Sequence, residues 1–596
     1  MSWRAGFVAG LAHAVLFLVA FPPFDLWPLV LISLAPLLLL GSRTDRPGRA
    51  MFAVWLACIP VWLWGHRWLL EVTPLGYPLL AMYQSLFPAV FVGIVALVRP
   101  RGSFKASTKL PLTVIGPLVW VGLEFVRGSM FLTGDPRFLI GHPLIAAPVC
   151  CQTADLFGAY FVSFLAATLS GLIADLLLLP LVRDGRLTAA VKRSVTIAAV
   201  VYLVSLGYGV VQLYRTDEVT AESARVTIAA IQTNVPQDNK LGWAIEDQIA
   251  DFTRFIGMTR EAVAIAEDAG VDIDLVAWPE TMVPGVGFDD DTIAEITRFE
   301  DAVERTLTGY PDWSWTRWRE ELSALARSIE TPLLIGSEAN EALRIEIETF
   351  QDGDGAERRR LAISQDRRFN SAYLFTADGT LAATRYDKMR LTPFGEVIPY
   401  LNRFPRLEQF VLDLGARGMR FDLDTGGEFV RIPVTLSSGE TVELGAPICF
   451  ESTYSDICRR LIWDDGRKAG LLFLNLTNDG WFANDPGGRA QHLMAGRFRC
   501  IENRVPMARA ANTGISAAID SAGRLIEYGP NHPRGLRPDR VAGILLAELP
   551  LDDRVSLYGR IGDAFAWLAF GATIALCGMG LAGRRRSRRT TQEKAN

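Results

Sequence analysis

The chain has 596 residues, a formal net charge of −5, 50% hydrophobic residues and a mean hydropathy of +0.21. It is too apolar for an ordinary soluble protein, yet with 21% charged residues it carries too many charges to lie in a membrane throughout. The small net charge gives no indication of nucleic-acid binding, and the seven cysteines and five histidines show no spacing typical of a structural zinc site.

The first part of the chain contains apolar runs that are long enough, at about 20 residues each, to cross a bilayer. The first run is expected to remain as a helix, because no small-residue cleavage site follows it before Phe21-Pro22-Pro23-Phe24 and the next run. An additional run comes after a long gap. The predicted spans lie near residues 5 to 21, 26 to 41, 51 to 70, 77 to 98, 109 to 127, 154 to 182, 192 to 214 and 561 to 583.

The distribution of Lys and Arg predicts the orientation of these spans. Loops rich in positive charge alternate with loops that are poor in it, and positive loops stay in the cytoplasm. We therefore expect eight spans with both termini in the cytoplasm: seven in residues 1–214, an outside domain in residues 215–558, and the last span with a basic tail in residues 559–596. The residues that carry this signal are Arg43, Arg46, Arg49, Arg99, Arg101, Lys105, Lys109, Arg183, Arg186, Lys192, Arg193 and the tail cluster Arg584-Arg585-Arg586-Ser587-Arg588-Arg589.

Two ionisable residues stand near membrane depth. Glu124 and Arg127 are three residues apart at the end of the fifth predicted span, close enough to pair on one helix face. Such groups are costly in a membrane and are functional candidates. A snorkelling ion pair at the interface is the alternative interpretation.

From Arg225 onwards, short buried strands alternate with amphipathic helices. Strands near 506–511, 514–519 and 541–547 follow one another with short links, which indicates a mixed sheet. The pattern predicts an α/β layered domain. Further buried strands are expected at 226–231, 273–278, 332–336 and 470–475, and helices at 246–268, 317–328 and 488–504.

Two polar stretches, 285–316 and 345–368, are expected to be insertions or mobile loops within this domain. The first is unusually aromatic. Its aromatic side chains could lie at the headgroup level of the bilayer, or they could pack onto their own domain. They include Phe299, Tyr310, Trp313 and Trp315, with Trp318 just beyond.

Cys449 ends a short apolar run that is predicted to be a buried strand, in Leu444-Gly445-Ala446-Pro447-Ile448-Cys449. A helix is expected to start just beyond, near Thr453, and its dipole would favour the thiolate. A single cysteine taken alone is more often a buried structural residue. The neighbours that the fold brings to it therefore decide its interpretation.

Three strand-end or loop residues could do chemistry together: Glu280, Lys388 and Cys449. Individually, Glu280 could be a helix-start acid, Lys388 a solvated surface charge and Cys449 a core residue. Together they supply a base, a cation and a nucleophile, which acyl transfer through a thioester requires. The glutamate would take the thiol proton, and the lysine would stabilise the oxyanion.

The sequence around these three residues resembles the Glu-Lys-Cys triad of the nitrilase superfamily. Glu280 follows Trp278-Pro279, Lys388 precedes Leu391-Thr392-Pro393-Phe394-Gly395-Glu396, and Cys449 stands in Ile448-Cys449-Phe450-Glu451. With its apolar runs, the whole chain is similar to the apolipoprotein N-acyltransferase family, a membrane-embedded branch of that superfamily. Further matching stretches are Phe21-Pro22-Pro23-Phe24 with Trp27-Pro28, Glu124-Phe125-Val126-Arg127-Gly128, Gln232-Thr233-Asn234-Val235-Pro236-Gln237, Asn478-Asp479-Gly480-Trp481-Phe482, Gln491-His492-Leu493 and Arg509-Ala510-Ala511-Asn512-Thr513-Gly514-Ile515-Ser516.

The resemblance implies a fold and a set of roles. The fold would be a membrane domain of eight helices joined to a nitrilase-like αββα sandwich. Glu280 would be the general base, Lys388 the oxyanion stabiliser and Cys449 the nucleophile that carries the acyl group. No cofactor or metal is implied. Supporting or substrate-binding roles would fall to Glu396, Glu451, Phe450, Trp243 and Trp481.

Three features depart from the family pattern. Phe450 stands where the family commonly has tyrosine, so the backbone N–H is kept for the oxyanion but a hydroxyl is not. Cys500 and the aromatic insertion after Glu280 are the other two departures, and they concern substrate access rather than chemistry.

By resemblance, the reaction would be a two-step transfer in the bacterial inner membrane, with the outside domain in the periplasm. An acyl chain would pass from a phospholipid of the bilayer, phosphatidylethanolamine, to Cys449 and then to the N-terminal amine of a diacylglyceryl apolipoprotein. One alternative is a membrane-tethered amidase, for which a single anchoring helix would suffice. Another is a transporter or scaffold with an inactive domain, against which the intact Glu280, Lys388 and Cys449 argue.

Overall fold

The structure is a computed structural model. It describes residues 3–74, 76–99, 110–131, 134–183, 186–236, 243–303, 306–310, 313–351, 357–393, 396–397, 423–530 and 538–593. Several residues named above lie outside these ranges, and nothing is said of their structure. They are Arg101, Lys105, Lys109, Gln237, Phe394 and Gly395.

Within the described residues, six helices are long and apolar enough to cross a membrane, and the chain is a multi-pass membrane protein. They are Pro47–Gly65, Gly76–Val98, Leu112–Met130, Ala159–Leu178, Ala189–Ala221 and Ala564–Arg585. Two shorter apolar helices, Trp3–Leu18 and Trp27–Arg43, coincide with the first two predicted spans. The helices Trp3–Leu18 and Pro47–Gly65 pack so closely that position 10 has no room for a side chain. A Cβ on Gly10 would lie 2.9 Å from the Cα of Val54.

The remaining α-helices are short helices between spans or helices of the outside domain. The α-helices, in chain order, are α1 (Trp3–Leu18), α2 (Ala35–Arg43), α3 (Pro47–Gly65), α4 (Leu69–Val72), α5 (Gly76–Val98), α6 (Leu112–Phe125), α7 (Ala154–Phe157), α8 (Ala159–Leu178), α9 (Ala189–Ala221), α10 (Ile245–Ala269), α11 (Asp290–Val303), α12 (Arg317–Ile329), α13 (Ser455–Ile462), α14 (Pro486–Asn503), α15 (Leu557–Ile561) and α16 (Ala564–Glu593).

Among the described residues, the predicted outside domain is built on two six-stranded mixed sheets and two separate two-stranded hairpins. The strands are β1 (Val182–Arg183), β2 (Arg186–Leu187), β3 (Arg225–Gln232), β4 (Leu275–Ala277), β5 (Leu333–Glu341), β6 (Arg344–Gln351), β7 (Glu357–Ser364), β8 (Arg367–Phe375), β9 (Leu381–Asp387), β10 (Ile432–Thr435), β11 (Thr441–Gly445), β12 (Trp463–Asp464), β13 (Arg467–Lys468), β14 (Leu472–Thr477), β15 (Met507–Ala511), β16 (Ala517–Ile519), β17 (Leu525–Tyr528) and β18 (Gly543–Pro550).

The first sheet has the order β18-β3-β4-β5-β8-β9, in which β3, β4 and β5 are parallel neighbours. The second has the order β10-β11-β14-β15-β16-β17, in which β11, β14 and β15 are parallel. Catalytic side chains of α/β folds gather at the carboxyl ends of parallel strands. Glu280 follows β4 and Lys388 follows β9, so the first sheet contributes two of the predicted residues, and Cys449 follows β11 of the second sheet.

The two sheets pack face to face through one apolar core. Alternate residues of each central strand point into it, as Ile228 of β3 and Leu444 of β11 do. The opposite face of the first sheet is covered by α10 and α12, against which Ala229 and Ile231 of β3 pack. The second sheet is covered by α13 and α14, which contribute Leu461 and Cys500 to the central core.

Helix α14 joins the outside domain to the membrane helices. Phe498 and Ile501 on one of its faces belong to the apolar core of the membrane part. Beyond its end, Arg504 forms a buried ion pair of 2.7 Å with Asp155. Glu502 of α14 accepts a hydrogen bond of 2.8 Å from the backbone N–H of Ala159. These contacts fix the domain directly on the membrane helices.

Most predicted strands and helices of the outside domain are confirmed, and two expectations are wrong. The strand before Cys449 ends at Gly445, because Pro447 has no N–H for a ladder bond. For the polar stretches, the alternative of mobile loops is wrong, because α11 lies in the first and the hairpin of β6 and β7 occupies most of the second; that they are insertions stays a prediction. Of the aromatic residues, Trp318 is fully buried and Phe299 nearly so, which favours packing onto their own domain.

Candidate active site

Glu280 lies at the carboxyl end of β4 and is almost fully buried. Its Oε1 accepts a hydrogen bond of 2.8 Å from Asn370, and its Oε2 accepts one of 2.9 Å from the backbone N–H of Asn478. Neighbouring strand β5 approaches closely, because a Cβ on Gly336 would lie 2.7 Å from the Cα of Glu280. The carboxylate is therefore fixed by both side-chain and backbone contacts.

Lys388 follows β9 and has no exposed surface. Its ammonium lies 3.1 Å from Oε1 of Glu280 and 2.8 Å from Oε1 of Glu396. Asn370 also donates to both carboxylates. Two carboxylates thus share one cation and one amide, and this keeps them together in a buried site.

The pKa values of this pair shift as a buried ion pair requires. Burial would raise the pKa of Glu280, but the Lys388 ammonium and the hydrogen bonds to Glu280 hold it below its ordinary value. Burial would lower the pKa of Lys388, but the two carboxylates raise it well above its ordinary value. Glu280 is therefore an anion and Lys388 a cation at neutral pH.

Cys449 begins a 3-10 turn, Cys449–Thr453, with a positive φ of 52°. Residues other than glycine rarely adopt a positive φ. Those that do are concentrated at functional sites. The thiol and the Glu280 carboxylate line the same cavity. Burial and the Glu280 carboxylate raise the pKa of Cys449 well above its ordinary value.

The expected thiolate is therefore wrong for the resting site. The turn that follows Cys449 is only five residues long, and the helix α13 begins later, at Ser455. Desolvation of the buried sulfur outweighs any dipole effect of this short turn. The cysteine rests as a thiol beside a carboxylate that can accept its proton.

Glu451 connects the cysteine segment to the lysine segment. One of its oxygens accepts from the backbone N–H groups of Met389 and Arg390 at 2.7 and 3.0 Å, and the other accepts from that of Ile448 at 2.8 Å. Tyr386 also donates to this carboxylate. Burial raises the pKa of Glu451 to about 7, although these hydrogen bonds oppose the shift. Glu451 thus positions both segments without lining the cavity.

A second buried network lies behind Cys449. Nε2 of His492 is 3.0 Å from the carbonyl oxygen of Cys449, and its Nδ1 is 2.8 Å from Oδ1 of Asp479. Arg509 donates to Oδ2 of Asp479 at 2.7 Å. This network holds the backbone carbonyl of Cys449, the residue with the positive φ.

An apolar cavity opens from Cys449 towards the membrane helices. Its floor is formed by Glu280, Glu396, Cys449 and Asn478. Its wall is formed mainly by residues at the ends of membrane helices and by aromatic residues of the outside domain. The wall residues are Trp68, Leu69, Val72, Thr73, Gly76, Leu80, Tyr83, Phe131, Gly134, Asp135, Arg137, Thr392, Pro393, Phe450, Trp481, Phe482 and His492.

The structure thus brings Glu280, Lys388, Cys449, Glu396 and Glu451 into one connected network, with Phe450 and Trp481 at the cavity. It does not bring Trp243 there. This tryptophan stands before α10, donates to Asp251 at 3.3 Å and packs against the outer core of the first sheet.

Three residues of the site were not predicted from the sequence: Asn370, Asp135 and Arg137. Asn370 is a buried polar residue in strand β8, next to the buried Ser371, and two polar residues between apolar strand residues were the available signal. Asp135 and Arg137 lie in an irregular segment between two membrane helices, where no periodicity marks them. Glu124 and Arg127 do not form an ion pair among the described contacts; each instead binds this segment.

Comparison with known proteins finds two family models that match separate parts of the chain. The carbon-nitrogen hydrolase family matches residues 227–557, and the apolipoprotein N-acyltransferase N-terminal domain matches residues 13–172. The chain is 29% identical over 580 residues to the apolipoprotein N-acyltransferase of Geobacter metallireducens, covering 95% of this chain and 93% of the relative. It is 27% identical over 604 residues to that of Rhodopirellula baltica, covering 97% of each.

Proposed function

The chain belongs to the carbon-nitrogen hydrolase family, and we propose that it is an apolipoprotein N-acyltransferase that works through a thioester on Cys449. It transfers an acyl chain from a membrane phospholipid to the N-terminal amine of a diacylglyceryl apolipoprotein, the last step of lipoprotein maturation. One observation carries this proposal: Glu280 and Cys449, with Lys388 buried against them, form the floor of an apolar cavity whose wall is made by membrane helices.

In the first half-reaction, Glu280 accepts the thiol proton of Cys449 while the sulfur attacks the ester carbonyl of the donor. The Lys388 ammonium and the backbone N–H of Phe450 stabilise the oxyanion. The C–O bond then breaks, and the lysophospholipid leaves with the proton that Glu280 returns. The acyl group remains on the sulfur as a thioester.

In the second half-reaction, the amine of the acceptor attacks the thioester carbonyl. A C–N bond forms and the C–S bond breaks, while Glu280 takes a proton from the amine and returns one to the sulfur of Cys449. The Lys388 ammonium stabilises the oxyanions of both half-reactions. The enzyme returns to its starting state because Cys449 regains its proton. Glu396 and Glu451 serve as positioning residues through their contacts with Lys388 and its segment.

The apolar wall of the cavity explains why the reaction site lies beside the membrane. Both substrates carry acyl chains, and moving a chain out of the bilayer costs about 0.8 kcal/mol per buried CH₂. A cavity that faces the membrane lets the chains enter without that cost. It also excludes water, which would otherwise hydrolyse the thioester.

The topology that supports this reaction is an eight-span arrangement made of the six long and two shorter apolar helices. Residues 1–214 supply seven spans, residues 215–558 form the αββα catalytic domain, and residues 559–596 supply the last span and its tail. The basic loops place both termini in the cytoplasm and the catalytic domain in the periplasm of a bacterial inner membrane. Phosphatidylethanolamine is the proposed donor.

The test is to incubate the purified, full-length protein with labelled phosphatidylethanolamine and to measure intact mass. We expect an acyl adduct on wild type that hydroxylamine removes, and none on Cys449→Ala. Cys458→Ala is the matched control, since Cys458 is buried nearby in α13. Absence of the adduct in wild type, or its presence in Cys449→Ala, would contradict the proposal.

A further inference from the structure

Arg137 brings a positive charge to the wall of the apolar cavity. It lies on the irregular segment after the helix Leu112–Met130, and its side chain is 10% exposed. Among the described residues that line the cavity, no other is a lysine or an arginine. A cation exposed to a mostly apolar cavity, close to the nucleophile, requires an explanation.

The guanidinium is held in one orientation. Its Nε and Nη2 donate to Asp135 at 2.9 and 3.2 Å. The group also lies over two aromatic rings, 5.3 Å from the centre of Trp68 and 5.2 Å from that of Phe450. Phe450 directly follows Cys449, so Arg137 is fixed beside the reacting centre.

The segment that carries Arg137 is itself fixed by the membrane helices. Arg127 donates to the carbonyl of Phe138 at 2.9 Å and to Gln84 at 3.2 Å, and Gln84 in turn donates to Asp135 at 3.0 Å. Glu124 accepts from the backbone N–H of Ile140 at 2.7 Å. The guanidinium is therefore preorganised for a ligand rather than a mobile surface charge.

Asp135 occupies the edge of the guanidinium formed by Nε and Nη2, and the Nη1 group donates to no residue in the described part of the chain. The Asp135 oxygens are also occupied, because they accept from Arg137 and from Gln84. Asp135 has its pKa lowered to about 2: burial would raise it, but Arg137 overcomes that effect. The pair therefore offers a donor, not an acceptor, to the cavity.

We infer that the Nη1 group of Arg137 binds the phosphate of the donor phospholipid during the first half-reaction. A guanidinium donor in an apolar site forms a strong, charge-assisted hydrogen bond to a phosphodiester oxygen. The acceptor, a diacylglyceryl peptide, has no phosphate and carries an amine. Arg137 therefore selects the donor and does not act in the second half-reaction.

This inference rests on the proposed function, and the test separates the two. Acyl-enzyme formation is measured for wild type and Arg137→Gln with phosphatidylethanolamine and with diacylglycerol, which has the same chains but no phosphate. We expect Arg137→Gln to raise the KM for the phospholipid about tenfold or more and to leave that for diacylglycerol unchanged. Arg137→Lys, which keeps the charge, should give an intermediate KM.

The second half-reaction is measured on the same preparations by chasing the acyl-enzyme with a diacylglyceryl peptide. Its rate should be the same in wild type and Arg137→Gln, which also shows that the variant is folded. Arg317→Gln is the matched control, because Arg317 lies over Trp313 at 4.6 Å and pairs with Glu321 but does not line the cavity.

Two results would overturn the inference while leaving the proposed function intact. One is an equal effect of Arg137→Gln on phospholipid and diacylglycerol. The other is inhibition of wild type by inorganic phosphate that Arg137→Gln removes without any change in the phospholipid KM, because the site would then take free phosphate only. A wild type that forms no acyl-enzyme with either donor would instead contradict the proposed function.

Discussion

The floor and the wall of the cavity are built in opposite ways. On the floor, Glu280 and Glu396 are charged groups with the Lys388 ammonium buried against both, and each of the three has two or more hydrogen-bond partners among the described residues. The wall consists mainly of apolar side chains such as Leu69, Val72 and Leu80, which make no directed contacts. One end of the site is thus fixed by directional bonds and the other mainly by packing, with Arg137 and its partner Asp135 as the hydrogen-bonded exception.

This difference indicates what each end does. Directional bonds fix a charge to within tenths of an ångström, which stabilisation of a transition state requires. Apolar packing accepts chains of different length and conformation, because the hydrophobic effect is not directional. Changes to the floor should therefore alter the rates of both half-reactions, while changes to the wall should alter the choice of acyl chain.

The largest effect is expected for Lys388→Met on the floor. The variant loses the cation that stabilises both oxyanions, so each half-reaction should slow by about 10² to 10³. Glu280 and Glu396 would still accept hydrogen bonds from Asn370, but their two negative charges would no longer be balanced by a cation. Rapid-mixing intact mass would measure the acylation rate, and a peptide chase would measure transfer. A loss confined to one half-reaction would argue against a common oxyanion site.

Lys468→Met is the control for removing a buried lysine. Lys468 donates to the carbonyls of Arg504, Asp552 and Arg554, away from the cavity. This variant should lower thermal stability but keep the acylation rate of the folded enzyme. Lys388→Arg should not restore activity, because a planar guanidinium does not fit the compact position between the two carboxylates.

Much of the fold could be predicted because its strands are short, apolar and buried on both faces. Strand β3 and helix α10 fall within one or two residues of their predicted ends. Helix α11 was missed although Ile293, Ile296, Phe299 and Val303 recur at helical spacing, because the charged residues between them made the stretch look polar; the hairpin of β6 and β7 was missed because it extends as a mostly exposed ribbon. Both depend on contacts from elsewhere in the chain, such as Arg298 of α11 donating to the carbonyl of Ile345.

For the site, the three predicted residues come together because each follows a strand and stands in a recognisable motif. The supporting contacts could not be predicted in the same way. Gly336 and Leu80 look like any glycine of a strand and any leucine of a membrane helix. Their importance depends on distances that only the folded chain defines.

Gly336→Ala tests how tightly the floor is fixed, and a smaller effect is expected. A Cβ at this position would lie 2.6 Å from the carbonyl oxygen of Pro279 and 2.7 Å from the Cα of Glu280. The strand must shift, and the base would move with it. We expect acylation to slow on the order of tenfold. Gly257→Ala in α10 is the control, because nothing lies within 4 Å of its added Cβ.

If Gly336→Ala kept the wild-type acylation rate, then the floor would tolerate displacement of its base. The floor would then not be rigid at Glu280, and the proposed contrast with the permissive wall would fail there. The pKa of Glu280 offers a second readout, because a displaced carboxylate would lose contact with Lys388. Its pKa would rise, and activity would begin to fall at a higher pH as the pH is lowered.

The smallest effect is expected on the wall, for Leu80→Trp. Leu80 lines the cavity from α5, and the larger indole would shorten the space for an acyl chain. The ratio of kcat/KM for a long-chain over a short-chain phospholipid should fall about fivefold, a difference of about 1 kcal/mol. The rate with the short-chain donor should stay unchanged, since the floor is not touched.

Leu79→Trp separates this effect from a general disturbance of the helix. Leu79 is the preceding residue on α5, is 58% exposed and does not line the cavity. The same indole there should leave the chain-length ratio unchanged. If both variants lower the ratio equally, the wall does not select the chain, and selection belongs to the bilayer or to the floor. If Leu80→Trp slows the short-chain donor as well, the two ends are mechanically coupled, because a change in packing alone would then have displaced the hydrogen-bonded groups around Cys449.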